Sequence, residues 1–319
     1  MNIKIKDFVG KYKIFFGISL GIMVIGIICS MIFGVTLDIE FTGGAIVEYA
    51  YTGQVDEAQL QDFIQQETEQ QVSFNVSKNI IAGEEVSPDE QGYKVAVQFA
   101  GDDAISLETQ KELTSDLQKE YPDNNFVQNE TRSVESTMGW KFFAKCLTAV
   151  AVACVLMVLY VTVRFKKISG LSAGVMALVA LFHDVLIVYF TFVIFKMPID
   201  ANFIAVVLMI LGYSLNDTII IYDRVRENRK LDGALATPTA LFNKSATQVL
   251  KRTICTSITT LTAIACVCGV AIYFGLDSVV TFALPMMIGV ISGCYSSICI
   301  AGPLWVLWQN HKAKTVKAK

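Results

Sequence analysis

The sequence predicts an α+β integral membrane protein, a bundle of six membrane-spanning helices that carries one βαββαβ domain on its outer side. Three observations predict it. Six apolar runs are each long enough to cross a bilayer, for which about 20 residues at 1.5 Å each are needed. Basic residues collect at the ends of every second connection, the distribution expected of cytoplasmic loops. Between the first two runs, residues 34–139 read as a polar, acidic, soluble domain. The composition agrees: 53% of residues are hydrophobic and only 17% are charged, which places the chain among membrane proteins.

The N-terminus, residues 1–13, carries Lys4, Lys6, Lys11 and Lys13 against Asp7 alone, and is expected in the cytoplasm. Residues 14–33 form the first span. A cleaved signal peptide would have a shorter apolar core and a small-x-small site, which Cys29–Gly34 lacks, so the span is expected to be retained. In the outer region, strand-like alternation over 45–51, 71–81, 93–99 and 125–131 is interleaved with helical spacing over 55–66 and 105–120. A turn-rich stretch, 82–92, separates the second strand from the third. The order β-α-β-β-α-β is that of a ferredoxin-like domain. Its bases are Lys78, Lys94, Lys111, Lys119 and Arg132, outnumbered by Asp and Glu, whereas the rest of the chain is net basic.

The remaining spans are expected at 142–163, 171–195, 202–221, 254–274 and 279–308, followed by a cytoplasmic tail at 309–319. Arg164, Lys166 and Lys167 flank the second span, Arg224, Arg226, Arg229 and Lys230 the fourth, and Lys312 and Lys314 the sixth. Both termini therefore come out on the inner side. Residues 222–253 read as a cytoplasmic loop with an interfacial helix, opened by Thr237 as cap and Pro238 at the first helical position. Its apolar face, Leu241, Phe242, Val249 and Leu250, is expected to lie on membrane lipid. Pro285 and Pro303 are expected to kink the sixth span. The Gly17/Gly21, Gly170/Gly174 and Gly289/Gly293 pairs allow close helix approach.

Eight cysteines do not form a disulfide framework, because all lie in apolar runs and none in the outer domain. They read as small, buried apolar side chains. With two histidines, His183 and His311, no metal site is expected, and neither a cofactor nor a nucleic-acid partner is indicated.

The residues that could carry chemistry are few. Asp217 lies about 15 residues below the outer end of the fourth span, in the cytoplasmic half, within Leu211–Asn228. Tyr213, Ser214 and Asn216 give it polar neighbours, Ser214 and Tyr213 on its own face. An ionisable group at that depth marks an ion path, a proton relay or a buried contact; the plainer reading is an interfacial carboxylate that reaches water. Arg252, at the same membrane side on the fifth span, either modulates that acid or is simply a positive flank. His183 and Asp184 lie near the middle of the third span, where a structural hydrogen bond and a transport role both remain open.

Two stretches then carry a resemblance that covers nearly the whole chain. Asp38-Ile39-Glu40-Phe41-Thr42-Gly43-Gly44 is similar to a G-x-D-F-T-G-G signature, with Asp38 in place of Gly and Glu40 in place of Asp. Gly212-Tyr213-Ser214-Leu215-Asn216-Asp217-Thr218, continuing to Asp223-Arg224-Val225-Arg226-Glu227-Asn228, is similar to G-Y-S-x-N-D-T…D-R-x-R-E-N. A weaker match is Gln248–Thr253 followed by Thr256-Ser257. Both stretches are signatures of the SecD/SecF family of bacterial protein-export membrane subunits, relatives of proton-driven RND transporters, and the chain resembles the SecF branch. The resemblance implies an auxiliary translocase subunit in the cytoplasmic (inner) membrane, working with a six-span SecD partner beside the SecYEG channel on unfolded preprotein. It implies a proton relay of Asp217 with Arg252 as its basic partner, and Asn216 and Asp184 as further members. No covalent chemistry is expected, and no Walker A loop is present. The alternatives are an RND-type exporter half for small molecules or lipids, a purely structural partner of SecD, and an intramembrane aspartyl protease using Asp184 and Asp217.

Overall fold

The structure is a computed structural model that describes residues 5–68, 72–79, 92–99, 107–134, 136–233, 236–274 and 276–317. The turn expected at 82–92 falls outside the described residues apart from Gly92, as does the side chain of Thr42.

In chain order the elements are α1 (Tyr12–Phe33), the single turn α2 (Ile39–Thr42), β1 (Gly44–Thr52), α3 (Glu57–Thr68), β2 (Val72–Asn79), β3 (Gly92–Phe99), α4 (Leu107–Glu120) and β4 (Val127–Val134). The helices α5 (Ser136–Arg164), α6 (Gly170–Ile194), α7 (Ala201–Asp232), α8 (Pro238–Tyr273), α9 (Asp277–Ser296) and α10 (Gly302–Lys317) follow. Among the described residues, six helical segments are long and apolar enough to cross a membrane, the last of them formed by α9 and α10 together. They are not equivalent. The α6, α7 and α9–α10 segments bury more than half of their apolar windows inside the chain, whereas α1, α5 and α8 leave most of theirs uncovered. In water that much apolar surface would be untenable; against lipid or partner helices it is the ordinary exterior of a membrane bundle.

Among the described residues, the domain between α1 and α5, the one expected outside, is a four-stranded sheet of order β2-β3-β1-β4 with every neighbour pair antiparallel, as the βαββαβ order leads one to expect. Alternation puts Val47, Tyr49 and Tyr51 of β1 and Val95, Val97 and Phe99 of β3 on one face. Leu60 and Ile64 of α3 and Leu113 and Leu117 of α4 cover them. Tyr51 stacks on both Tyr93 and Phe126, extending this second core.

The junction between this domain and the helices is built from the first signature stretch. The chain leaves α1 at Gly34, whose φ of 72° is a backbone conformation that side chains with a Cβ rarely adopt. It then pairs with the α6–α7 connection, Ile199 N–H to Thr36 O at 2.9 Å and Asp38 N–H to Ile199 O at 3.0 Å. Glu40 reaches over and accepts the Ala201 N–H at 3.1 Å, at the first turn of α7. Asp200 caps the same turn through Phe203 N–H at 3.1 Å. Phe41 is buried between Phe142 and Phe143 of α5. Gly139 lies so close to Phe41 and Gly43 that a Cβ there would stand 2.9 Å from the Gly43 nitrogen. Both chain crossings into the outer domain are therefore clamped to the membrane helices by one cluster.

Three local expectations are corrected. First, among the described residues there is no separate interfacial helix: α7 continues to Asp232, and α8 runs unbroken from Pro238 to Tyr273. Thr237 does cap its start, accepting Ala240 N–H at 3.3 Å. Leu241, Phe242, Ala246 and Val249 face the bundle core with Trp305 and Val306, not lipid. An amphipathic period reports one apolar face, and both protein and membrane satisfy it. Second, the sixth span is interrupted by a π-helical turn, Ser297–Ala301, just before Pro303. Proline lacks the N–H and crowds the carbonyl four residues back, and the widened turn relieves both. Third, the cysteines are free but not uniformly buried, since Cys255 and Cys266 are exposed on α8.

Candidate functional site

Asp217 is carried by α7 with 1% of its surface exposed, and its Oδ2 is buried without a hydrogen-bond partner. Leaving an acceptor of this kind unmade is costly for a structural side chain. Its neighbours are polar but indirect. Arg252 of α8 and Cys294 of α9 lie within electrostatic reach of it. Arg252 itself is exposed and makes no ion pair with Asp217 within 4 Å. Tyr213, one turn earlier, turns toward α8 and donates to Ser257 Oγ at 3.2 Å. Asn216 is exposed and points away from this buried face.

Asp184 is the more fully built carboxylate. It has no exposed surface, and three serine hydroxyls donate to it: Ser214 at 2.7 Å from α7, and Ser292 and Ser296 at 2.6 Å each from α9. His183 Nδ1 stands 3.2 Å from Oδ1. This arrangement draws the acid's serine donors from two neighbouring helices, the way an isolated carboxylate is made tolerable in a low-dielectric interior. From Ser214 the polar track continues, because Ser297 donates to the Ser214 carbonyl at 3.0 Å and Thr218 donates to Ser297 Oγ at 2.9 Å. Ser297 belongs to the π-helical turn, so that irregularity sits beside the two acids.

Asp184 and Asp217 share no hydrogen bond, and the three serines occupy Asp184. A proton-sharing pair of the aspartyl-protease kind is therefore not formed.

The remaining residues of the second signature do different work toward the C-terminal end of α7. Asp223 meets Arg164 at 3.2 Å and Arg226 at 2.6 Å. Arg224 holds Gln248 at 2.6 Å and Glu227 at 2.5 Å. Asn228 donates to Ser245 and Gln248, each at 2.8 Å. Tyr222 bonds the Ala301 carbonyl at 3.4 Å. These contacts lock the C-terminal half of α7 to α5, α8 and the π turn. Gly212 is exposed with open space beside it. Of the first signature, Glu40, Phe41, Gly43 and Gly44 form the outer junction and touch neither acid.

Sequence reasoning passed over Ser292, Ser296 and Ser297. A signal existed for the first two, as hydroxyls four apart in an apolar run share a helix face. Nothing in the sequence said that this face meets Asp184.

Comparison with known proteins follows the same outline. Residues 114–311 match the family profile described as protein export membrane protein SecD/SecF, C-terminal. The protein translocase subunit SecF of Alicyclobacillus acidocaldarius is 30% identical, over 97% of this chain and 94% of that one. That of Petrotoga mobilis is 29% identical, over 98% and 99%. The protein translocase subunit SecDF of Bacillus subtilis is 28% identical over 98% of this chain, which spans 39% of that longer protein. Among solved structures, SecDF of Thermus thermophilus, described as a translocon-associated membrane protein, superposes with a TM-score of 0.77 at 26% identity. That match covers 96% of this chain and 39% of that one.

Proposed function

The chain belongs to the SecD/SecF family of protein export membrane proteins, and on that premise we propose that it uses the proton-motive force, through Asp217, to assist preprotein export. It is a multi-pass protein of the bacterial inner membrane and an auxiliary subunit of the Sec translocase. Relatives that carry a SecDF chain, in which this sequence corresponds to about two fifths of the length, support association with a SecD partner. The SecYEG channel, the unfolded preprotein and the cytoplasmic placement of both termini are parts of the proposal.

The observation that carries it is the unpartnered Oδ2 of Asp217, buried in a helix apolar enough to cross the membrane. Protonation of such an acid removes a charge from a low-dielectric site, and a proton crossing the membrane gains about 2.3 kcal/mol per 100 mV. That energy can bias a two-state arrangement of helices. In this reading Arg252 acts through space on the same acid, Asn216 stays on the exposed face of α7, and Asp184 with its serines extends the polar track toward the outer half. No covalent step belongs to this reading.

The test is export of a secreted reporter in cells whose only copy carries Asp217→Asn, with membrane level and SecD co-purification measured in parallel. Accumulated precursor with an intact complex is expected. Normal export would remove the proton-relay role and leave a purely structural partner of SecD.

A further inference from the structure

The inner end of the bundle holds a cavity of about 640 Å³ that lies apart from both acids and from the contacts of the second signature. Its walls are the α5–α6 connection and one face of α10. Trp308, His311, Lys312 and Thr315 recur every three to four residues and so project from a single side of α10 into this space. Lys166 faces them from the α5–α6 connection, and the first turn of α6, Gly170 to Ser172, forms the floor.

The charge in this cavity is uncompensated. No carboxylate lines it, and neither Lys166 nor Lys312 has an acidic partner within 4 Å among the described residues. The nearby cations behave differently: Arg164 is held by Asp223, and Arg229 donates to the Lys167 carbonyl. The floor offers donors too. Ser169, the residue before α6, has a φ of 66° and makes no side-chain cap, so its hydroxyl does not occupy the first amides of the helix. Its hydroxyl donates instead to Gln309 Oε1 at 3.4 Å, Gln309 donates to Ser172 Oγ at 3.0 Å, and Ser172 Oγ donates to the Ser169 carbonyl at 2.8 Å, so the donors left to the floor are the first backbone amides of α6. On the wall, Thr162 Oγ1 is buried without a hydrogen-bond partner.

The mouth is apolar. Leu171 is 64% exposed and Trp308 51% exposed, both beside the cationic groups and both at the ends of membrane-length helices. A soluble anion would use the charges and leave the apolar walls idle. A phospholipid uses both, with its phosphate among the lysines and its acyl chains along Leu171 and the indole, which is suited to the headgroup level.

We propose that this cavity binds the phosphodiester headgroup of an anionic phospholipid, through Lys166, Lys312 and the first amides of α6. The site is independent of proton use, so its failure would leave the reading of Asp217 untouched.

The test uses the full chain, purified in neutral detergent and titrated with phosphatidylglycerol, phosphatidylcholine or inorganic phosphate, with bound adducts counted by native mass spectrometry. Phosphatidylglycerol is expected to be retained selectively. Lys166→Gln with Lys312→Gln is expected to weaken retention about tenfold or more, while Lys11→Gln with Lys13→Gln, which removes equal charge elsewhere at the N-terminal flank, leaves it unchanged. Equal loss in both double variants would mean diffuse surface charge and overturn the site. So would equal retention of phosphatidylcholine. Displacement of the lipid by millimolar inorganic phosphate would overturn the lipid as the occupant, in favour of a free anion. All variants change exposed side chains, and monodispersity of each sample checks that the fold is kept.

Discussion

Ser214 donates to Asp184 at 2.7 Å from a position one turn before Asp217 on α7, so the two buried acids are linked through a single helical turn. Whatever shifts α7 at Asp217 also shifts one of the three donors that keep Asp184 satisfied. Ser292→Ala and Ser296→Ala are each expected to destabilise the bundle by about 1–2 kcal/mol. The double variant should lose less than the sum, because both hydroxyls serve one carboxylate. Unfolding of the full chain in mixed micelles measures this, and strict additivity would mean that the serines do not act together.

Arg252 makes no hydrogen-bonded pair with Asp217, so its influence rests on charge and not on the planar fork of its guanidinium. Arg252→Lys is expected to keep reporter export within about twofold of the parent. Arg252→Gln should lower it severalfold at an equal membrane level. Equal loss in both would point to a specific guanidinium contact in the assembled complex.

Glu40 satisfies an amide at the start of α7. Glu40→Ala is expected to cost about 1 kcal/mol at that helix end, and hydrogen exchange at the first amides of α7 should rise about fivefold. Glu40→Gln keeps the acceptor oxygen and should restore most of the protection.

Gly302 sits against the ring of Phe242, with no room for a Cβ between α10 and α8. Gly302→Ala is expected to destabilise by about 1–3 kcal/mol. Adding Phe242→Leu should recover part of that loss, as measured by the yield of folded chain. Failure of the second change to help would place the strain in the backbone of the π turn.

The N-terminal segment docks on α8 through Asn243, which receives the Phe8 and Val9 amides at 3.1 Å and donates to Asp7 at 2.8 Å. The Gly10 N–H, with Asn243, holds the Asp7 carboxyl below its ordinary range. A carboxyl lowered in the folded state contributes above its unfolded value of 3.8 and loses that contribution as pH falls through and below it. Protease access to the segment should therefore rise on acidification below about pH 4. Asp7→Ala should abolish the pH dependence and leave access high throughout.

Much of this architecture was legible because membrane helices announce themselves by length and hydropathy. The βαββαβ order was legible because strand alternation and helical spacing differ in period. Asp217 stood out for the same reason, as a charge where charge is expensive. What stayed hidden were pairings between helices. Asp184 read equally as structural or functional until Ser292 and Ser296 were seen to meet it. Leu241 and Phe242 could not reveal that their neighbour is Trp305 and not lipid. Arg252 and Asp217 were placed on the same side, but depth along a helix says nothing of the direction in which a side chain leaves it.

The clamp at Glu40 has a geometric consequence. α7 starts at that clamp and reaches Asp217 sixteen residues later, about 24 Å along its axis. A continuous helix of that length behaves as a lever arm, with the inner contacts of Asp223, Arg224 and Asn228 as its fulcrum. Rotation of the arm by only about 5° about that fulcrum would move its far end, about 33 Å away, by roughly 3 Å. That is enough to take the 3.1 Å bond between Glu40 and Ala201 out of hydrogen-bonding range. The stance of the outer domain and the surroundings of Asp217 are thus two readings of one angle.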